Sequence, residues 1–181
     1  SGGFCAWPNF NAKGGKIKPG KRSSMSEQAD LDIMTEQEKR LVFPAFSEGD
    51  AFKIGSALKE LADDKGAPIV IDISLWDRRL FYCARPGSTS DNEDWVRRKF
   101  NLVRRTHKSS YRFGRELAVS GRTMAERALP DADYAAAGGC FPIRLANAGA
   151  IGAVTISGLP QRDDHKWVVS AIAAHLKIDI S

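Results

Sequence analysis

The sequence predicts an α+β fold, in which an antiparallel sheet made of two β-hairpins is flanked by helices within a single domain. Three observations carry this expectation. Ile69, Ile71, Ile73 and Leu75 alternate with Val70, Asp72 and Ser74, and a second short run, residues 80–84, follows after Trp76-Asp77-Arg78-Arg79. The stretch GGCFPIRLANAGAIGAVTISG, residues 138–158, holds two apolar runs around Ala146-Asn147-Ala148-Gly149, where Asn and Gly suit the positive φ of a tight turn. Between and after these hairpins lie segments whose apolar residues recur at helical spacing.

The chain of 181 residues fits one domain with an arm. Residues 1–24 carry Lys13, Lys16, Lys18, Lys21 and Arg22 and no acid. The remainder therefore has 27 − 5 = 22 basic residues against 22 acidic ones, so the net charge of +5 belongs to the tail. That distribution argues against nucleic acid as a partner of the domain. No apolar run is long enough for a membrane span and no signal core is visible, so a cytoplasmic protein is expected. Cys5, Cys83 and Cys140 are too few and too scattered for a disulfide framework or a zinc site, and no metal site is expected.

Residues 1–24, rich in Gly, Lys, Asn and Ser, read as a disordered basic tail or a remnant joined to the chain. Residues 25–46 read as a helical arm, with Thr35 and Glu38 as a capping box. The domain itself is expected over residues 47–181. Ser47 caps its first helix, whose stripe is Ala51, Ile54, Gly55, Leu58, Leu61 and Ala62, and Lys65-Gly66 closes it. After the first hairpin, Ser90 and Glu93 are expected to box the next helix, with Val96, Phe100, Val103 and His107 on one stripe. Residues 108–114 read as a turn, and residues 115–129 as a helix that Gly121 splits. After the second hairpin, Asp163 and Asp164 favour the start of a last helix striped by Trp167, Val168, Ala171, Ile172 and Leu176.

The usual phosphate-loop, dinucleotide, zinc-protease and serine-hydrolase motifs are absent. The polar segment WVRRKFNLVRRTHKSSYRFGR offers Lys99 for charge, Asn101, Ser109 and Ser110 for hydrogen bonds, Tyr111 beside them, and His107 as acid, base or ligand. The same residues also suit a solvated helix face, a capping serine and a structural histidine. Gly138 and Gly139 offer backbone N–H groups for an anion-binding nest, or simply a strand-entry turn. The candidate ligand site is therefore Lys99, Asn101, His107, Ser109, Ser110, Tyr111, Gly138 and Gly139, set on two segments that only the fold can bring together. No catalytic residue is assigned. Cys140 and Cys83 read as small core residues, and Asp72 as a carboxylate on an apolar strand.

GGCFPIRLANAGAIGAVTISGL followed by QRDDHKWVVSAI, together with WVRRKFNLVRRTHKSSYRFG, resembles the haem-degrading-domain, GlcG-like, family in an uncharacterised branch. The resemblance spans roughly residues 46–176. It implies a profilin-like fold, assembly into homo-oligomers, and a tetrapyrrole such as haem as ligand, with His107, Ser109 and Tyr111 near the expected helix end. Three functions are carried forward: an oligomeric small-ligand- or haem-binding protein, a structural or adaptor protein acting through its oligomer surface, and an enzyme acting on a small anionic metabolite.

Overall fold

The computed structural model describes residues 21–180, with side chains from Ser26 onward. Ten elements follow in order: α1 (Lys21–Arg40), α2 (Glu48–Lys65), β1 (Val70–Leu75), β2 (Arg79–Ala84), α3 (Ser90–Thr106), α4 (Ser110–Ser120), a single 3-10 turn (Ala125–Arg127), β3 (Cys140–Leu145), β4 (Gly149–Ser157) and α5 (Gln161–Leu176). Of the tail expected over residues 1–24, residues 1–20 lie outside the described residues, and residues 21–24 are instead the start of α1. The strands form one antiparallel sheet in the order β2-β1-β4-β3. Both expected hairpins are present, and the second turns at Gly149 with φ 73°.

Strand alternation gives the sheet two unlike faces. Ile71 and Ile73 of β1, Val154 and Ile156 of β4, and Phe141 and Ile143 of β3 are fully buried on one face, beneath Ile54 and Leu58 of α2 and Val168 and Ile172 of α5. Each such side chain contributes about 1.5–3 kcal/mol by leaving water. The opposite face places Asp72, Thr155 and Cys140 in register across β1, β4 and β3, and α3 covers it. The three strands β1, β4 and β3 are thus covered on both sides, with polar residues on one of them.

The helix boundaries follow the caps. Ser47 and Asp50 form a reciprocal capping box at α2, and Gly66 ends it at φ 61°. At α3 the cap lies one residue earlier than expected: Thr89 N donates to Asn92 Oδ1 at 2.9 Å, which frees Glu93 to accept from Arg79 and Tyr82. Thr35 is not a cap. It sits inside α1 and donates to Leu31 O at 2.7 Å, while Glu38 is buried against Ser109 and Arg112.

The expected turn at 108–114 is instead the start of α4. Ser109 caps it, and Tyr111, Phe113 and Leu117 supply the buried side. Gly114 fits inside this helix because any Cβ there would lie 2.4 Å from Ala136 O. Gly121 ends the helix at φ 66° rather than splitting a longer one. Leu129 joins Phe113, Leu117 and Leu102 in a small core from the loop that follows.

Candidate functional site

The basic segment uses most of its charge inside the chain. Arg97 and Arg98 both bond Asp94, at 2.8 Å in each case, and Arg98 also lies over the Trp95 ring. Lys108 binds Glu116 at 2.7 Å, and Arg105 stands over Tyr134. Asn101 Nδ2 donates to Asp133 O at 3.0 Å and pins the loop before β3. His107 ends α3 in the left-handed region at φ 55° and is exposed, its ring stacked on Trp76 at 5.9 Å with 8° between planes. Its carbonyl accepts from Arg144.

Lys99 and Gly139 come together, and Ser110 joins the same junction through Cys140, the residue after Gly139. Lys99 is 2% exposed and donates to Asp164 Oδ2 at 2.9 Å and to Ile156 O at 3.1 Å. Asp164 Oδ1 accepts from Leu159 N at 3.1 Å. Burial raises the Asp164 carboxyl above its ordinary range, and Lys99 offsets this. Ser110 Oγ accepts from Cys140 N at 3.1 Å and lies 3.3 Å from Cys140 O. A hollow of about 310 Å³, bordered by Trp95, Gly158 and Gln161, opens beside the Lys99–Asp164 pair. Burial pushes the Cys140 thiol up to about 12, so it stays protonated and unreactive near neutrality.

The two glycines are demanded by this junction. Gly139 has φ 117°, and a Cβ there would meet Ile156 O at 2.5 Å and Lys99 Nζ at 2.8 Å. At Gly138 a Cβ would lie 1.9 Å from Gln161 O, a backbone atom that cannot swing aside. Gly138→Ala should destabilise the fold by about 1–3 kcal/mol or more through overpacking. Gly49→Ala, where the nearest atom is Ser47 Oγ at 3.5 Å, should not be destabilising. Thermal unfolding of the two variants side by side checks this.

Ser109 caps α4 with its side chain and meets α1 through its backbone, while Tyr111 faces the gap between α1 and α5. Ser109 N donates to Glu38 Oε1 at 2.8 Å. Tyr111 lines a cleft of about 620 Å³ between α1 and α5, whose apolar wall is Ile33, Met34, Val169 and Ile180. His165 forms its inner side, 5% exposed, with ring centroids 5.2 Å from Tyr111 and 6.1 Å from Phe141. His165 Nε2 meets Gln37 Oε1 at 2.9 Å, and buried Nδ1 has no hydrogen-bond partner. With Gln37 Oε1 assigned as acceptor, Nε2 carries the proton and Nδ1 keeps a lone pair. Burial lowers the imidazole pKa from 6.5 to about 4, so the ring is neutral near pH 7. Arg162, paired with Asp30 at 2.6 Å, and exposed Lys166 border the cleft.

His165, in the first turn of α5, is not among the candidate site residues that the sequence offers. The signal was its spacing: it stands three and four residues before Val168 and Val169, both buried. Also unassigned was a third hollow of about 610 Å³ between the β1–β2 hairpin and α3, with buried Asp72 in its lining and Trp76 and Phe100 in its wall.

Among the described residues no group of three or more His, Cys, Asp or Glu is arranged to hold a metal ion. Nor, among them, is any helix long and apolar enough to cross a membrane.

Comparison with known proteins follows the same outline. The family model described as haem degrading protein HbpS-like matches residues 46–173. A UPF0303 protein of Brucella canis is 54% identical over 144 residues, covering 79% of this chain and 85% of that protein. The crystal structure of the Ybr137w protein superposes with a TM-score of 0.76 at 28% identity, over 89% of this chain and 99% of the other. The crystal structure of the PduOC:Heme complex gives a TM-score of 0.60 at 18% identity, over 72% of this chain and 94% of the other, a likeness of fold.

Proposed function

The chain belongs to the HbpS-like haem degrading protein family, and on that footing we propose that it is an oligomeric small-ligand-binding protein that takes a tetrapyrrole, haem in the first instance, in the cleft between α1 and α5. The observation that carries the reading is His165: a buried, neutral imidazole with one nitrogen unpartnered, on the wall of an apolar cleft. A relative of the same fold is described as a haem complex, which supports the choice of ligand.

The cleft's residues fit the group. A tetrapyrrole presents a broad apolar ring and acidic side chains. Ile33, Met34, Val169 and Ile180 offer hydrocarbon to the ring, and the cleft volume of about 620 Å³ is of the size small-molecule sites have. Arg162 and Lys166 would hold the carboxylates, and His165 would hold the iron. Haem, when bound, supplies iron-centred redox chemistry. The chain's own part is to exclude water with the apolar wall, keep the imidazole unprotonated by burial, and orient the ring through Gln37 and Tyr111. The homo-oligomer is part of the same proposal, supported by the family resemblance and by Ile33, which is 56% exposed at the cleft mouth. The anionic-metabolite reading is weakened because Arg97, Arg98, Lys99 and Lys108 already have carboxylate partners.

Haemin titration tests the reading. A saturable Soret shift of fixed stoichiometry is expected, lost or strongly weakened in His165→Gln and retained in His107→Ala. Loss in His107→Ala with retention in His165→Gln would move the site to the Trp76 stack, and no saturable shift in the wild-type protein would end the proposal.

A further inference from the structure

We propose that the hollow between the β1–β2 hairpin and α3 binds a small organic amine, its ammonium group seated on Asp72 and its hydrocarbon part laid against Trp76 and Phe100. This site is separate from the α1–α5 cleft and does not depend on the tetrapyrrole reading.

Asp72 is the starting point. It stands in β1 between Ile71 and Ile73, is 3% exposed, and lines the hollow. Burying a carboxylate without full hydrogen bonding is costly. Here the compensation comes from two side chains, one of them exchangeable. Ser74 Oγ donates to Oδ1 at 2.6 Å. Oδ2 is ion-paired with Arg79 Nε at 2.5 Å and has no donor besides it. Burial raises the carboxyl above its ordinary range, as a poorly solvated acid should.

Arg79 is a resident cation that can leave. Its side chain is 50% exposed, it also reaches Glu93 at 3.1 Å, and it lies 4.5 Å over the Tyr82 ring. An entering ammonium can take its place at Oδ2 while Arg79 keeps its contacts with Glu93 and Tyr82. The remaining charge favours a cation. The lining holds four carboxylates against three guanidiniums. The other two guanidiniums are already engaged, Arg78 by Glu48 at 2.7 Å and Arg97 by Asp94 at 2.8 Å. An anion would find no free partner, whereas an ammonium finds a buried carboxylate whose counter-charge is the half-exposed Arg79.

The wall supplies the rest of the recognition. Trp76 and Phe100 meet edge to face at 5.5 Å, and Trp76 is fixed by its indole N–H on Ala150 O at 2.9 Å and by the His107 ring stacked on it. Aromatic faces beside a carboxylate suit a ligand that is cationic at one end and apolar along its length. The volume of about 610 Å³ accommodates such a molecule.

The test uses three probes of one shape: phenethylamine, phenethyl alcohol and 3-phenylpropionate, titrated into the full chain near neutral pH by calorimetry. Saturable binding of the amine alone is expected. Asp72→Asn should weaken it roughly ten- to a hundredfold, the worth of a hydrogen bond to a charged group. Arg79→Ala should strengthen it by removing the competitor. If Asp72→Asn does not fold by circular dichroism, Arg79→Ala decides: tighter amine binding supports the site, and unchanged or weaker binding overturns it. Preference for the propionate, equal binding of the alcohol, or no saturable binding by the wild-type chain overturns it as well. Loss of haemin binding in His165→Gln with amine binding intact would show that the two sites stand apart.

Discussion

Lys99→Met is expected to destabilise the folded chain by about 3–5 kcal/mol, the cost of leaving one member of a buried ion pair without its partner. Lys99 and Asp164 are each 2% exposed, so an orphaned charge would stay largely out of water. The lysine also satisfies Ile156 O, so its removal leaves a backbone carbonyl short of one donor. The double variant Lys99→Met with Asp164→Asn should recover part of the loss, because the carboxylate no longer needs a counter-charge while Leu159 N keeps an acceptor. Urea unfolding midpoints of the wild type and the two variants measure this. A Lys99→Met cost near that of a surface pair, below about 1 kcal/mol, would mean that water enters the junction.

The second large effect is a pH dependence of stability that one residue should dominate. His165 has its pKa lowered by burial from 6.5 to about 4. Between those values the unfolded chain binds a proton that the folded chain does not. Stability therefore rises as pH rises through this window and is lost as pH falls from about 6.5 toward 4. The full amplitude is about 3 kcal/mol for a shift of this size. The raised pKa values of Asp72 and Asp164 act oppositely, since folding then favours the protonated acid and stability falls as pH rises from the ordinary carboxylate range toward the folded values. Their contributions begin at the low end of the His165 window. Thermal unfolding of the ligand-free protein from pH 4.5 to 7 should show the rise in the wild type and a much flatter profile in His165→Gln. An equal slope in both would show that His165 is protonated in the folded state.

The fold was legible because its signals are local. The alternation of Ile69, Ile71 and Ile73 and the Asn147–Gly149 turn state their conformation within a few residues of each other, as do Ser47 and Gly66 at the ends of α2. The start of α4 was hidden by its own composition. Ser110, Tyr111 and Gly114 are poor helix formers, and what overrides them is Ser110 bonding Cys140 and Gly114 passing close to Ala136 O. The site was harder for the same reason. Lys99 meets an acid 65 positions away, and Gln37 meets His165 across 128. A lysine on a charged helix looks like surface until the partner is placed. Asp72 was readable as an anomaly on an apolar strand, but nothing nearby in the chain announces Trp76 and Phe100 as its wall.

Asp164 and His165 are consecutive, yet the first turn of α5 sends one to Lys99 beneath the glycine pair and the other to Gln37 on α1. That turn cannot pivot to widen one side without drawing the other off its anchor. The α1–α5 cleft accordingly has a fixed wall on α5, and α1 is tied to it by Gln37 and Asp30 and to α4 by Glu38. The selectivity of that cleft therefore rests on the shape of a wall held from both sides.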